Sequence, residues 1–194
     1  MEKMVKMLQQ KYRKVRDEMG RWEELQSRLL SQFGNAASVI GRLQVIGETK
    51  NYGALRCLPG IKEAILGKQL ETLELIFFSM KETLKEFHGI VLSLDKIARD
   101  GSQLLKGGST PTASQMQVRV GIMPSLQSCL DGLKSIHEMY KHEYAIKLSV
   151  MSSLTWKCSA TDIASLGQLL ADQPNIPRDE VESIFDIIFA EEIF

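Results

Sequence analysis

The side chains best suited to chemistry in this sequence are three histidines and the carboxylates near them. Glu138 and His142 are four residues apart, so on a helix they would share one face. A di-metal site in a helical bundle needs Glu-x-x-His on two helices and further inward carboxylates, and neither His88 nor His137 supplies that motif. We therefore expect solvated or capping histidines, with no metal site and no cofactor.

Nucleophilic side chains are present without the partners that would activate them. Cys57, Ser152 and Ser153 have no histidine or acid at a recognisable catalytic spacing. Gly107 and Gly108 lack the GxxxxGK[ST] spacing and the preceding strand of a phosphate loop. We expect no catalytic residue, a buried thiol at Cys57, and serine hydroxyls on a helix surface.

A basic cluster near the N-terminus is compatible with RNA contact or with a nuclear import signal. Its members are Lys11, Arg13, Lys14 and Arg16. The chain has 24 basic and 24 acidic residues, and this zero net charge argues against a domain-wide basic footprint for nucleic acid. Asp17 and Glu18 follow the cluster directly, which favours a solvated helix face. An RNA-binding helical rod that uses the basic N-terminal helix stays open as the alternative function.

Long helices must position all of these side chains. Twelve positions from residue 5 to residue 43 alternate spacings of three and four, and eleven of them are apolar. They are Val5, Leu8, Tyr12, Val15, Met19, Trp22, Gln26, Leu29, Phe33, Ala36, Ile40 and Leu43. A seam of more than five heptads predicts a coiled coil, because only a 3.5-residue repeat keeps facing one partner over that distance.

Two further blocks repeat the helical period. The second has an apolar seam of ten positions: Leu66, Leu70, Leu73, Phe77, Met80, Leu84, Phe87, Val91, Leu94 and Ala98. Around residues 73–80 it is apolar on nearly every side, so we expect this helix at the centre of the bundle. The third block extends from Leu126 to Leu154.

These patterns predict an all-α fold. Helices over about 2–47, 60–105 and 124–156 would form an elongated antiparallel three-helix coiled-coil bundle over residues 1–156. Residues 157–194 would form a small helical C-terminal appendage, with helices over about 161–171 and 177–192.

The last predicted helix is acidic and amphipathic, with one base and six acids. Its apolar stripe includes Val181, Ile184, Phe185 and Ile188. Such a stripe must be buried somewhere, and we take these four residues as candidates for partner binding. Self-association through surplus apolar coiled-coil surface stays open as well.

Three widely spaced cysteines without a CxxC pair are typical of a reducing compartment. The chain shows neither a secretory signal pattern nor an apolar run of ~20 residues. We therefore expect a soluble intracellular protein without a membrane partner.

Two sets of residues carry a resemblance to a known family. The first set is Ala54-Leu55-Arg56, Pro59, Lys62-Glu63 and Lys68-Gln69-Leu70, and the second is Tyr140, Tyr144, Ser152-Ser153 and Trp156. Both are similar to motifs of the AIRIM family, ribosome maturation factors that are accessory subunits of a AAA-ATPase. Trp22 and the Asp179-Glu180 pair lie at corresponding places, so the resemblance keeps its order over all three predicted bundle helices. The chain departs from the family pattern near Cys57-Leu58 and through residues 99–123.

The resemblance implies an all-helical, non-catalytic subunit that joins a second helical co-subunit to a AAA-ATPase in large ribosomal subunit maturation. It also implies a location in the nucleus, including the nucleolus, and in the cytoplasm. The partner-binding candidates that it adds are Leu55, Arg56, Pro59, Lys62, Lys68, Tyr140, Tyr144 and Trp156. We accordingly expect protein partners rather than direct binding of nucleic acid.

Overall fold

The computed structural model describes residues 2–104, 112–119 and 123–190. Their α-helices are α1 (Glu2–Gly47), α2 (Ile61–Leu104), α3 (Ala113–Gln117), α4 (Leu126–Ser153), α5 (Ala160–Asp172) and α6 (Arg178–Ile188). A 3₁₀ segment, Thr49–Cys57, joins α1 to α2. No β-strand occurs in these described ranges, so the predicted all-α class is confirmed.

The boundaries of the long helices follow the sequence pattern closely. The seam of α1 is buried at every predicted position except Met19, which is half-buried. α4 ends at Ser153, three residues before the predicted end, and α6 ends at Ile188. The last helix therefore ends four residues before its predicted end at residue 192, with Phe189 as its C-cap, whereas Gly107 and Gly108 lie outside the described residues.

The helices α1 and α2 run antiparallel. Lys11 of α1 donates a hydrogen bond to Asp100 of α2. Glu18, seven positions after Lys11, accepts a hydrogen bond from Ser93, which lies seven positions before Asp100. This opposite order of contacts defines an antiparallel pair. The same order holds nearer the connecting turn, where Gln32 contacts Ser79 and Arg42 contacts Gln69.

The helix α4 runs parallel to α1. The Tyr12 hydroxyl donates to the carbonyl oxygen of Cys129 at 2.7 Å. Trp22 lies ten positions after Tyr12 in α1, and Tyr140 lies eleven positions after Cys129 in α4. The centroids of the Trp22 and Tyr140 rings are 4.8 Å apart. The three long helices therefore have the predicted up, down and up directions.

Contacts within the chain define two compact units. Unit 1 comprises residues 1–23, 87–145 and 173–194, and unit 2 comprises residues 24–86 and 146–172. Each long helix contributes residues to both units. The domain boundary predicted after residue 156 stays a prediction, because contact units do not establish which segments fold independently.

The core of unit 1 centres on Trp22, which is fully buried. Its ring lies edge-on to Phe87, at 4.4 Å between centroids, and to Tyr140. Its indole Nε1 donates to Gln173 Oε1 at 2.7 Å. A buried indole N–H needs an acceptor, so this hydrogen bond fixes the segment that leads into α6 against α1.

The core of unit 2 contains the one polar residue of the α1 seam, Gln26. Its Oε1 accepts from Lys147 Nζ at 2.7 Å, and its Nε2 donates to the carbonyl oxygen of Leu170 at 2.8 Å. All three residues are buried. A buried polar group left without a partner costs about 1–3 kcal/mol, so these bonds specify where α4 and α5 pack on α1.

Candidate partner-binding surfaces

The turn between α1 and α2 carries the first residues of the first resemblance motif, 54–59, and the start of α2 carries the others. The 3₁₀ segment is interrupted at Gly53, where φ is 51°, and Gly60 precedes α2 with φ of 76°. Both values lie in the left-handed region that glycine adopts without a Cβ clash. This backbone leaves Leu55 and Leu58 52% and 53% exposed. The prediction of a buried thiol at Cys57 is wrong, because the turn exposes this side chain too.

The polar residues of this motif partly hold the turn together. Lys62 Nζ donates to the carbonyl oxygen of Gly47 at 2.7 Å, which satisfies a free carbonyl at the end of α1. Arg56 Nε donates to the carbonyl oxygen of Gly53 at 3.1 Å. Both Pro59 and Lys68 are exposed. The motif therefore combines turn-stabilising contacts with accessible surface.

The second motif divides between core and surface. Tyr140 is 1% exposed in the core of unit 1, and burial, with a smaller effect of Glu23, raises the pKa of its hydroxyl. Tyr144 is half-buried and stacks on the His88 ring at 5.4 Å between centroids. Trp156 is 52% exposed, with Lys157 Nζ 5.1 Å from its ring centroid. Of the three predicted aromatic candidates, only Trp156 offers a largely exposed ring.

The apolar stripe of α6 is covered by unit 1 itself. Val181, Phe185 and Ile188 are buried and Ile184 is half-buried. Phe185 lies edge-on to Tyr12 at 5.6 Å between ring centroids, and Gln9 Nε2 donates to the carbonyl oxygen of Ile188 at 2.9 Å. The stripe therefore finds its partner in α1, and a role in binding another protein stays a prediction that the packing does not favour.

The basic cluster is also engaged within unit 1. Lys11 Nζ lies 3.1 Å from Asp100 Oδ2, and this hydrogen bond holds the pKa of the Asp100 carboxyl below its ordinary value. The guanidinium of Arg16 lies 5.0 Å from the centroid of the Phe185 ring, and that of Arg13 lies 6.0 Å from the centroid of Phe189. RNA would have to compete with or accommodate these contacts.

The histidines make local contacts in unit 1. His137 Nδ1 and His142 Nε2 lie 3.5 and 3.8 Å from the carboxylate of Glu138. The pKa of that carboxyl is lowered chiefly by the hydrogen bond from Lys141. Among the residues whose positions are described, no three side chains of the metal-binding types gather. Over the same residues, no helix has the length and hydropathy to cross a bilayer.

Exposed apolar side chains concentrate in unit 2; the sequence indicated surplus apolar surface but not which residues would carry it. Of thirteen large apolar side chains that are exposed in the described ranges, nine belong to this unit. They are Val45, Leu55, Leu58, Leu70, Leu75, Phe78, Leu148, Trp156 and Leu169. Hydrophobicity alone could not reveal them, because it does not show which apolar residues are left uncovered.

The most exposed of these residues form one face of α2. Leu75 is 66% exposed and Phe78 is 64% exposed, and a spacing of three places them side by side on the helix. We call this pair the α2 apolar face. The expectation that α2 lies at the centre of the bundle is therefore wrong for this side of the helix, which the other described segments leave exposed.

Comparison with known proteins adds the biological context. The architecture defines the chain as an all-α helical-bundle protein. The sequence model of one family, described as CA109-like, ribosome biogenesis protein C1orf109-like, matches residues 2–193. The chain therefore belongs to this family of ribosome biogenesis proteins. No individual curated protein matches it significantly.

Proposed function

We propose that the protein is a non-catalytic adaptor subunit that joins a helical co-subunit to a AAA-ATPase in large ribosomal subunit maturation. Membership of a ribosome biogenesis family supports the general process. The adaptor role and the ATPase rest on the motif resemblance. The observation that carries the proposal is that unit 2 contains both most of the exposed large apolar residues and the whole first motif.

An adaptor needs two surfaces that two partners can occupy at once. One is the α2 apolar face, and the other is the turn surface, which we define as Leu55, Arg56 and Leu58. Fourteen residues separate Ile61, at the start of α2, from Leu75, a distance of ~21 Å along the helix axis. We assign the α2 apolar face to the helical co-subunit and the turn surface to the ATPase.

The apolar anchors are sufficient for a moderate interaction. Full burial of a Leu or Phe side chain contributes about 1.5–3 kcal/mol, and Leu75 and Phe78 have roughly two thirds of that burial still to gain. Together they would contribute about 2–4 kcal/mol before the entropy cost of association. Binding both partners through one chain would raise their effective concentration for each other without any further contact.

Affinity purification of the tagged full-length protein in mild salt, with quantitative mass spectrometry, tests this function. Wild-type protein should recover a AAA-ATPase and a helical co-subunit. The double variant Leu75→Gln/Phe78→Gln should lose the co-subunit, and Leu55→Gln/Leu58→Gln should lose the ATPase. Fluorescence microscopy should place the protein in the nucleus, including the nucleolus, and in the cytoplasm.

The matched control is Leu92→Gln. Leu92 also lies on α2 and is 53% exposed, but it belongs to unit 1. This variant should recover both partners at the wild-type level. Recovery of neither partner by wild-type protein would refute the adaptor function. Equal losses in the control and in the Leu75→Gln/Phe78→Gln variant would refute the assignment to unit 2.

A further inference from the structure

The charges around the α2 apolar face have a symmetric order. An acidic residue lies four positions before Leu75 and another lies four positions after Phe78. A basic residue lies three positions further from the pair on each side. The full set is Lys68, Glu71, Leu75, Phe78, Glu82 and Lys85. At 100° per residue these six positions fall on one stripe about 100° wide. All are exposed in the structure except Glu82, which is half-buried.

The contacts of these charges within the chain leave them available. Lys85 Nζ lies 2.6 Å from Glu82 Oε1, with side chains that are 72% and 45% exposed. An exposed pair one helical turn apart contributes only a few tenths of a kcal/mol, so a partner can replace it readily.

This symmetric order disfavours a second copy of the chain as the occupant. An antiparallel pair that brings Leu75 of one copy against Phe78 of the other would place Glu71 opposite Glu82. The same register would place Lys68 opposite Lys85. A parallel pair in register would place each charge opposite itself. Like charges therefore meet in both arrangements that bury the two apolar residues of each copy against those of the other, which selects against self-pairing in these registers.

We propose that the α2 apolar face binds a helix of a different protein that carries the complementary charge order. The partner helix has two apolar residues three positions apart. A Lys or Arg lies four positions outside this pair on each side, and an Asp or Glu lies three positions beyond each of these basic residues. This inference rests on the proposed function and gives the partner chemistry of its co-subunit surface. Because the order reads the same in both directions, the charges set the register of the partner helix but not its direction.

Two synthetic helical peptides of equal composition test the inference. Both carry the two leucines three residues apart. The matching peptide has lysines at the inner charged positions and glutamates at the outer ones, and the control peptide has these charges exchanged. Exposed ion pairs contribute about 0.2–1 kcal/mol each, so four attractive pairs against four repulsive ones should favour the matching peptide by at least about tenfold. Fluorescence anisotropy of labelled peptide with the full-length protein measures both affinities.

The charge-exchanged protein Lys68→Glu/Glu71→Lys/Glu82→Lys/Lys85→Glu supplies the reciprocal test. It keeps the net charge and both apolar anchors, and circular dichroism verifies its helix content. Its preference should reverse, so that the control peptide binds more tightly. Equal affinity of the two peptides, or a preference that does not reverse, overturns the inference. A wild-type dimer in sedimentation velocity that Phe78→Gln abolishes overturns it as well.

These outcomes are separate from failure of the proposed function. A chain that discriminates between the peptides but recovers no AAA-ATPase in the purification keeps the inference about α2 and loses the adaptor role. A chain that recovers both partners but does not discriminate between the peptides keeps the adaptor role and loses this inference.

Discussion

The substitution Phe185→Ala tests whether α6 belongs to the core of unit 1. Phe185 is 8% exposed, lies edge-on to Tyr12 and stacks with Phe189 at 6.2 Å between ring centroids. The Arg16 guanidinium lies 5.0 Å from its centroid. Truncation of a buried Phe to Ala costs about 3–5 kcal/mol. Because a helix of 11 residues can detach locally without unfolding the rest of unit 1, we expect the lower end of this range, about 3 kcal/mol.

Urea denaturation followed by the fluorescence of Trp22 provides the assay. A Trp156→Phe background leaves Trp22 as the sole tryptophan, and hydrogen exchange should show reduced amide protection in α6. The control Ile187→Ala changes a side chain of the same helix that is 46% exposed, and it should cost no more than about 0.5 kcal/mol. If Phe185→Ala abolished partner recovery and left the unfolding free energy unchanged, α6 would be a docking helix and our reasoning would be refuted.

Two further predictions concern packing and thiol chemistry. A Cβ at Gly132 would collide with the Tyr12 hydroxyl and lie 2.8 Å from a methyl carbon of Ile184, whereas a Cβ at Gly67 would meet nothing within 4 Å. Urea denaturation should therefore show Gly132→Ala to be destabilised by about 1–3 kcal/mol and Gly67→Ala to be stabilised by about 0.5–1 kcal/mol. Burial raises the pKa of the Cys129 thiol to about 12, so at pH 8 iodoacetamide should modify exposed Cys57 and should modify Cys129 only after unfolding. Peptide mass spectrometry measures each site, and equal rates in the native protein would contradict the packing of α4.

The sequence was most informative about which residues of α1 are buried, because the apolar period alone determines this property. The 3.5-residue period of α1 predicted the buried seam from Val5 to Leu43, because only residues on that stripe can face the same neighbours along the helix. Gln26 occupies a seam position and is buried as well. Its hydrogen bonds to Lys147 and Leu170 depend on residues more than a hundred positions away, so no local pattern could predict them.

The sequence was least informative about what covers each apolar surface. The stripe of α6 and the apolar residues of α2 are both typical of helices that bury one or more faces. In the structure Phe185 packs on Tyr12, whereas Leu75 and Phe78 remain exposed. The difference arises from which segments the fold brings to each helix, and hydrophobic periodicity contains no information about that.

The resemblance motifs also do not show which of their residues are buried and which are exposed. Tyr140 and Trp156 belong to one motif, yet Tyr140 packs against Trp22 in a core and Trp156 is half exposed. A motif shows which residues belong together in a family, but burial decides whether a side chain supports the fold or can contact a partner. Of the motif residues, only Leu55, Arg56 and Lys68, which are all exposed, belong to our proposed interfaces, whereas Trp156 is exposed but belongs to neither.

The proposed adaptor function requires this chain to hold two different proteins at the same time. Mass photometry of the purified chain, a AAA-ATPase and a helical co-subunit, measured in pairs and then together, tests it most directly. We predict a particle with the summed mass of all three, which disappears when the chain is omitted or carries Leu75→Gln/Phe78→Gln. Direct association of the other two proteins without the chain, or binding of only one of them at a time, would contradict the account.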